Sequence, residues 1–215
     1  MLKTIWNSFK AVVLLILQLQ FYIYVVGCLL MTLFNPYFQN SEWIITAPYL
    51  LALQFLLIHS GGFMGMFFID KGEKDKRAFV GAWVVLLIFY SIFALALFIP
   101  SNNLHLLGAF FSYMFSRFVN QIVFSQKEFS KSLLVEAGVG TAFLLLWVAI
   151  IFISTPPLPR FEIIQTVISE LSMKHKLEPN TILSFYWTIC YFTSMGLFEL
   201  YYTLSLDKKI KSAFK

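Results

Sequence analysis

The sequence predicts an all-α fold: an integral membrane bundle of six transmembrane helices with one amphipathic connector helix at the interface. Six apolar runs of about bilayer length fill most of the 215 residues, and only 13% of the residues are charged. Soluble domains carry about 25% charged residues. Hydrocarbon cannot satisfy backbone polar groups, and the runs lack the alternation of barrel strands, so each run is predicted to be a helix.

The six runs make residues 1–215 a single polytopic membrane domain. A hydrocarbon layer of about 30 Å requires about 20 residues of helix, which each run supplies. Charged, polar or proline-containing segments separate the runs. The predicted spans are residues 11–33, 43–69, 79–99, 104–124, 133–153 and 181–204.

Residues 161–176, between the fifth and sixth runs, are too polar to cross a membrane. Their apolar residues recur at helical spacing, at Phe161, Ile164, Val167, Ile168 and Leu171. Charged and polar residues such as Glu162 and Glu170 take the other face. This pattern predicts an amphipathic helix that lies on the membrane surface or packs over the helix ends. A connector without a function of its own is the simplest interpretation.

The basic residues predict the orientation. One side of the predicted bundle receives Lys3, Lys10, the charged loop 71–77, Lys127, Lys131 and the lysines of the C-terminal tail. The other side receives only Arg160, Lys174 and Lys176. Because lysine and arginine are enriched in cytoplasmic loops, both termini are predicted to be cytoplasmic. No Asn-x-Ser/Thr glycosylation acceptor occurs, so a bacterial inner (plasma) membrane is the default location.

Three arginine or glutamate residues lie inside apolar runs, where charge is costly and usually functional. Measured from the cytoplasmic ends of their runs, Arg117 lies roughly 10 Å deep, Glu199 roughly 8 Å and Glu136 roughly 5 Å. These depths are similar enough for the three side chains to meet. An arginine–carboxylate pair is the charged geometry that best tolerates burial.

The fourth run carries its polar residues on one helical face, at Tyr113, Arg117, Asn120 and Gln121. Lipid would reject such a face, so it is predicted to look into the bundle or into a wet cavity. A face of the sixth run is expected to oppose it. That second face comprises Ser184, Thr188, Tyr191, Met195 and Glu199.

Two interpretations of these polar residues stay open. In the functional one, they line a cytoplasm-facing cavity for a small ligand, an ion or a lipid headgroup. The candidate cavity residues are His59, Tyr113, Arg117, Asn120, Gln121, Glu136 and Glu199. In the structural one, Arg117 and Glu199 clamp two helices together with Glu136 at the interface, or Arg117 snorkels to the headgroups.

The second run contains His59 followed by closely spaced glycines, Gly61, Gly62 and Gly65. Small residues at such spacing let another helix approach, so the glycines are predicted to serve helix packing; a hinge or pocket beside His59 is the alternative. For His59 itself, a neutral ring bonded to a neighbouring helix competes with a proton relay or a ligand role.

Several chemistries have no support. No three-residue spacing for a metal is present, no cofactor motif occurs, and no basic groove with exposed aromatics points to nucleic acid. Cys28 and Cys190 lie in apolar runs without a Cys-x-x-Cys pair. Hydrolase, kinase and nucleotide-driven pump motifs are also absent from the sequence.

The resulting functional hypothesis is a non-enzymatic membrane protein. It is either a transporter-like binder of a small ligand or ion, or an accessory subunit of a membrane complex. Its expected partners are the lipid bilayer and, in the second case, other membrane subunits. The alternative is a small intramembrane enzyme that acts on a lipid-borne substrate, using His59 with Glu199 or Arg117.

Overall fold

The described part of the chain is all-helical, which confirms the predicted fold class. The computed structural model describes residues 2–69, 76–101, 107–108, 110–115, 117, 126–153, 157–158, 160–172 and 180–213. Within these residues the backbone is helical apart from short turns, and no strand is formed.

Seven helices make up this part of the chain. They are α1 (Leu2–Phe34), α2 (Glu42–Ile69), α3 (Lys76–Ser101), α4 (helical at 107–108, 110–115 and 117), α5 (Gln126–Val148), α6 (Phe161–Ser172) and α7 (Thr181–Ala213). A 3-10 turn at Phe38–Ser41 precedes α2, and a π-helical turn at Ala149–Ile153 extends α5. Helices α1 and α7 run beyond the apolar runs because lysine is a good helix former outside hydrocarbon.

By length and composition, three described helical segments are apolar enough to cross a membrane. They are Glu42–Phe63, Lys131–Ile153 and Thr181–Tyr202. Shorter apolar segments, Leu19–Phe34 and Val84–Ile99, lie in α1 and α3. Most of the predicted span 104–124 lies outside the described residues. The structure therefore supports three of the six predicted spans.

Helix α2 lies at the centre of the bundle and contacts α1, α3, α5 and α7. Its apolar segment is the most buried of the three. Fully buried side chains follow one another along it, including Trp43, Ile44, Leu50, Leu53 and Leu57. A helix that is apolar on all sides belongs in the interior, so α2 provides the surface on which the other helices assemble.

Small residues bring α2 and α5 close together. A Cβ on Gly62 would lie 3.7 Å from the Cβ of Ala137, and one on Gly140 would lie 3.0 Å from Cγ1 of Ile58. Ile58 of α2 is next to Gly140 of α5, and Gly62, later in α2, is next to Ala137, earlier in α5. The two helices are therefore antiparallel. Close backbone approach at small residues is a general packing solution in lipid.

Helix α6 has the amphipathic character that the sequence predicts. Ile164 and Val167 are buried, Glu162 and Glu170 are exposed, and the helix contacts α7. The last part of the predicted connector, 173–176, lies outside the described residues.

The segment before α6 is tied to the end of α1. Arg160 donates to the carbonyl oxygen of Leu33 at 3.1 Å and also to that of Phe34. The last carbonyls of a helix lack partners within it, and a basic side chain satisfies them. The hydroxyl of Tyr37 donates to Oε2 of Glu170 at 3.0 Å, and this hydrogen bond raises the pKa of the Tyr37 hydroxyl. Arg160 thus has a capping role that charge counting alone does not reveal.

We expect Gly140→Val to lower the free energy of unfolding by about 1–3 kcal/mol, because the added methyl groups overpack a filled interface. Besides Ile58, the hydroxyl of Tyr191 lies 3.3 Å from the Cβ position. Gly138→Val is the matched control in the same helix, since a Cβ there has no neighbour within 4 Å. Thermal unfolding in detergent measures both variants. Equal melting temperatures for the two would contradict this close packing.

Candidate functional site

A buried guanidinium organises the polar interior. The Arg117 side chain of α4 is 3% exposed, and its Nη2 forms an ion pair with Oε1 of Glu136 in α5 at 3.0 Å. Together with Tyr113 and Ser60, these two residues form what we call the Arg117 cluster. A buried charge requires a counter-charge and full hydrogen bonding, so the cluster links several helices at once.

Tyr113 supports the ion pair from within α4. It lies four residues before Arg117 and therefore on the same helical face. Its hydroxyl accepts a hydrogen bond from Nη2 of Arg117 at 2.6 Å and donates one to the Glu136 carboxylate. Its ring lies beneath the guanidinium, with Cζ of Arg117 4.5 Å from the ring centroid. The tyrosine adds a cation–π contact to the hydrogen bonds.

Helix α2 supplies two further acceptors for the guanidinium. Nη1 of Arg117 donates to the carbonyl oxygen of Leu57 at 3.3 Å and to Oγ of Ser60 at 3.4 Å. The Ser60 hydroxyl in turn donates to the same carbonyl at 2.8 Å. Arg117 thereby joins α4 to both α2 and α5.

Gly61 leaves the space that the guanidinium occupies. A Cβ at this position would lie 2.9 Å from both Nη1 and Nη2 of Arg117. The sequence predicted that Gly61 and Gly62 serve helix packing. The contact at Gly61 is with an arginine side chain, while Gly62 meets Ala137 of α5. Gly65 lies further along α2.

Glu199 of α7 is buried, with 6% of its surface exposed, but it does not form the predicted clamp with Arg117. Within the described part of the chain, the ion pair of Arg117 is with Glu136. Glu136 also accepts a hydrogen bond from the Tyr113 hydroxyl, so it takes the position beside Arg117 that was expected for Glu199. Glu199 remains close enough to interact electrostatically with Arg117, Glu136 and Tyr22.

The predicted face of α7 is largely buried, and its described contacts include α2 and α5. Thr188, Tyr191 and Met195 are buried, and the Thr188 hydroxyl donates to the carbonyl oxygen of Ala47 at 3.1 Å. Phe21 of α1 contacts both Tyr113 and Phe192, with ring centroids 5.3 Å and 5.8 Å apart. At this level α1 therefore lies between α4 and α7.

Several buried polar atoms near the cluster have no hydrogen-bond partner in the described structure. They are the Tyr22 and Tyr191 hydroxyls, both amide atoms of Gln54, and Nε of Arg117. Gln54 lies beside the Tyr191 hydroxyl, at a separation and angle outside those of a regular hydrogen bond. Each buried unsatisfied polar group costs about 1–3 kcal/mol, so such a concentration indicates a place for water or a polar ligand. Sequence reasoning missed Gln54, although an amide within an apolar run was a visible signal.

His59 does not join this cluster. Its side chain is exposed on the outer face of α2, and its Nδ1 lies 3.1 Å from the hydroxyl of Tyr90 in α3. The rings of Phe55 and Phe63 flank it, with centroids 6.2 Å and 5.0 Å away. This is the arrangement expected of a histidine held by a neighbouring helix. The other two candidate cavity residues, Asn120 and Gln121, lie outside the described residues.

The arrangement provides charge and hydrogen-bonding groups inside an apolar bundle, which is the chemistry of polar-solute binding. Within the described ranges, no group of three His, Cys, Asp or Glu side chains is positioned to hold a metal. Comparisons with protein families, curated proteins and solved structures found no match to the chain.

We expect Arg117→Met to lower the free energy of unfolding by about 3–5 kcal/mol, because it leaves Glu136 without its counter-charge. Adding Glu136→Gln should recover much of this loss, since no uncompensated charge then remains. Unfolding in detergent, analysed as a double-mutant cycle, measures the coupling. Lys131→Met, at an exposed position on α5, is the control and should stay within about 0.5 kcal/mol of wild type. A cost for Arg117→Met no greater than that of the control would contradict the ion pair.

Proposed function

We propose that the chain is a multi-pass integral membrane protein that binds a small polar solute within its helix bundle, as a transporter does. The membrane setting is supported by three helices of sufficient length and hydropathy. It is also supported by the outer surface, where large apolar side chains such as Ile88, Ile92, Ile99 and Leu145 are exposed. Soluble monomers rarely present contiguous apolar surface on this scale, whereas lipid matches it.

We further propose six spans with both termini in the cytoplasm of a bacterial cell. Helices α2 and α5 are antiparallel, and so are α5 and α7, as the contacts of Trp147 with Ser194 and of Phe152 with Trp187 indicate. Alternating directions are what successive membrane crossings require. The basic residues at the ends of α1, α2 and α7 favour the cytoplasmic assignment.

The observation that carries the proposed binding function is the ion pair between buried Arg117 and partly buried Glu136, beside a set of unsatisfied polar groups. Ionisable residues within a membrane are expensive and typically mark solute or ion pathways. Replacing a buried ion pair with apolar residues is often neutral or stabilising, so stability alone does not explain its presence. Gln54, Tyr22 and Tyr191 have hydrogen-bonding capacity that the described protein groups leave unused.

The enzymatic alternative receives no comparable support. It requires His59 to work with Glu199 or Arg117, and a general acid or base must lie within hydrogen-bond reach of the reacting group. His59 instead contacts Tyr90 on the outer side of α2, whereas Arg117 is bonded to the side of α2 that carries Ser60. We therefore propose solute binding without catalysis.

Topology is tested by single-cysteine labelling with a membrane-impermeant maleimide in intact bacteria, in a background with Cys28 and Cys190 replaced by serine. We expect Gln165→Cys on α6 to be labelled from outside. Ala213→Cys at the end of α7 should be labelled only after the cells are opened. Labelling of Ala213→Cys in intact cells would overturn the proposed orientation. Failure of Gln165→Cys to be labelled even after lysis would show that position 165 is not exposed on the surface of α6.

Solute binding is tested by thermal unfolding of the purified protein with a panel of small amines, carboxylates and amino acids. A solute bound at a hundredfold excess over its dissociation constant should raise the melting temperature by about 5–10 °C. The charge-neutral double variant Arg117→Met/Glu136→Gln should lose this shift. An equal shift in that variant would place binding elsewhere. Co-purification with other membrane subunits, without any solute effect, would instead favour an accessory subunit.

A further inference from the structure

We propose that the bundle binds one small monovalent cation, an alkali ion or a proton, at a site formed by Glu199, Tyr22 and the neighbouring Arg117–Glu136 pair. The inference rests on the proposed function, since it names the ion that accompanies solute binding. It goes further in assigning a separate role to Glu199, a residue that the Arg117 cluster does not use.

The charges of the described interior do not balance. Arg117 is paired with Glu136 at 3.0 Å, and among the described side chains Glu199 has no basic group within 4.0 Å. Glu199 is nonetheless buried in α7. Two carboxylates with one guanidinium leave one excess negative charge in an apolar bundle. An isolated buried carboxylate is too costly to persist, so a cation must accompany it.

Groups on several helices lie within electrostatic range of Glu199. Those that interact with it electrostatically are Tyr22 of α1, Arg117 of α4, Glu136 of α5, and Tyr191 and Tyr202 of α7. Arg117 is the one cation in this set, and its Nη1 and Nη2 already serve Glu136, Tyr113 and α2. The described residues supply no second positive charge at Glu199, and a bound ion would provide it.

Uncharged oxygen atoms that could ligate a cation, and that have no hydrogen-bond partner, lie near these charges. The Tyr22 hydroxyl is buried and unpaired, and Tyr22 packs against α7, its Cβ 3.2 Å from the Cβ position of Gly196. Gly196 lies three residues from Glu199, so the tyrosine meets α7 within one turn of the carboxylate. Carboxylate, hydroxyl and amide oxygens are the ligands that hard cations prefer. The Tyr191 hydroxyl is a further buried oxygen without a hydrogen-bond partner, and it lies within electrostatic range of Glu199 and Glu136.

The test is thermal unfolding of the purified full chain in detergent, first with sodium replacing choline at constant pH. A second arm lowers the pH from about 8 to about 6 in choline alone. An alkali ion at a hundredfold excess should raise the melting temperature of wild type by about 5–10 °C. If a proton is the ion, acidification should raise it instead, because the folded state then takes up a proton. Glu199→Gln should abolish whichever shift occurs.

Glu162→Gln is the matched control, since this carboxylate is exposed on α6 and the same atoms change. It should keep the full shift. The inference would be overturned if neither sodium nor acidification changed the melting temperature of the wild type. A change in melting temperature that persists in Glu199→Gln would also overturn it. Tyr22→Phe is a second variant that removes an unpaired hydroxyl. It should weaken the ion effect without loss of stability, and a fully retained effect would overturn the placement of the site at Tyr22.

The two proposals fail separately. A solute shift that needs Arg117 and Glu136 but is independent of sodium, pH and Glu199 would overturn the cation site alone. An ion shift that needs Glu199, with no solute shifting the wild type, would overturn the proposed solute binding alone.

Discussion

A guanidinium held among apolar helices constrains everything around it. Arg117 cannot lose its charge cheaply, so its two terminal nitrogens, Nη1 and Nη2, bond to acceptors on its own helix and on two neighbouring helices. Glu136 provides the counter-charge, Tyr113 an acceptor and a ring face, and α2 a carbonyl and a hydroxyl. Sliding or rotating any one of α2, α4 or α5 would break at least one of these bonds. The cluster therefore sets the register of three helices.

The same constraint explains where glycine is used. The space beside α2 that holds the guanidinium exists because Gly61 has no side chain, and Gly140 makes room for Ile58 and the Tyr191 hydroxyl. Glycine weakens an isolated helix by roughly 1 kcal/mol relative to alanine. Inside a membrane, where helices do not associate through burial from water, the gain in close packing and polar contact offsets that cost. Gly61 and Gly140 thus make room for polar groups, the Arg117 guanidinium and the Tyr191 hydroxyl, as well as for the apolar side chain of Ile58.

The connector shows how a polar segment is anchored at the opposite end of the bundle. Helix α6 buries Ile164 and Val167, while Arg160 binds the end of α1 and Glu170 binds Tyr37 in the turn that follows α1. In the sequence, Arg160 counts only as one of the few positive residues on the predicted non-cytoplasmic side. In the structure, it donates hydrogen bonds to the last carbonyl oxygens of α1. The first and the last third of the chain are joined by this contact as well as by the packing of α1 on α7.

By itself, the sequence determined the helical fold, the approximate positions of the helices and the apolar face of α6. These properties follow from local composition and periodicity, because a backbone in hydrocarbon has few alternatives to a helix. It also singled out Arg117, Glu136 and Glu199, since charges in apolar runs are conspicuous. Only the tertiary structure decided that Glu136 and not Glu199 pairs with Arg117, and that His59 turns away from both. Those outcomes depend on the rotation and offset of each helix about its neighbours, and residue spacing within one helix carries no information about either.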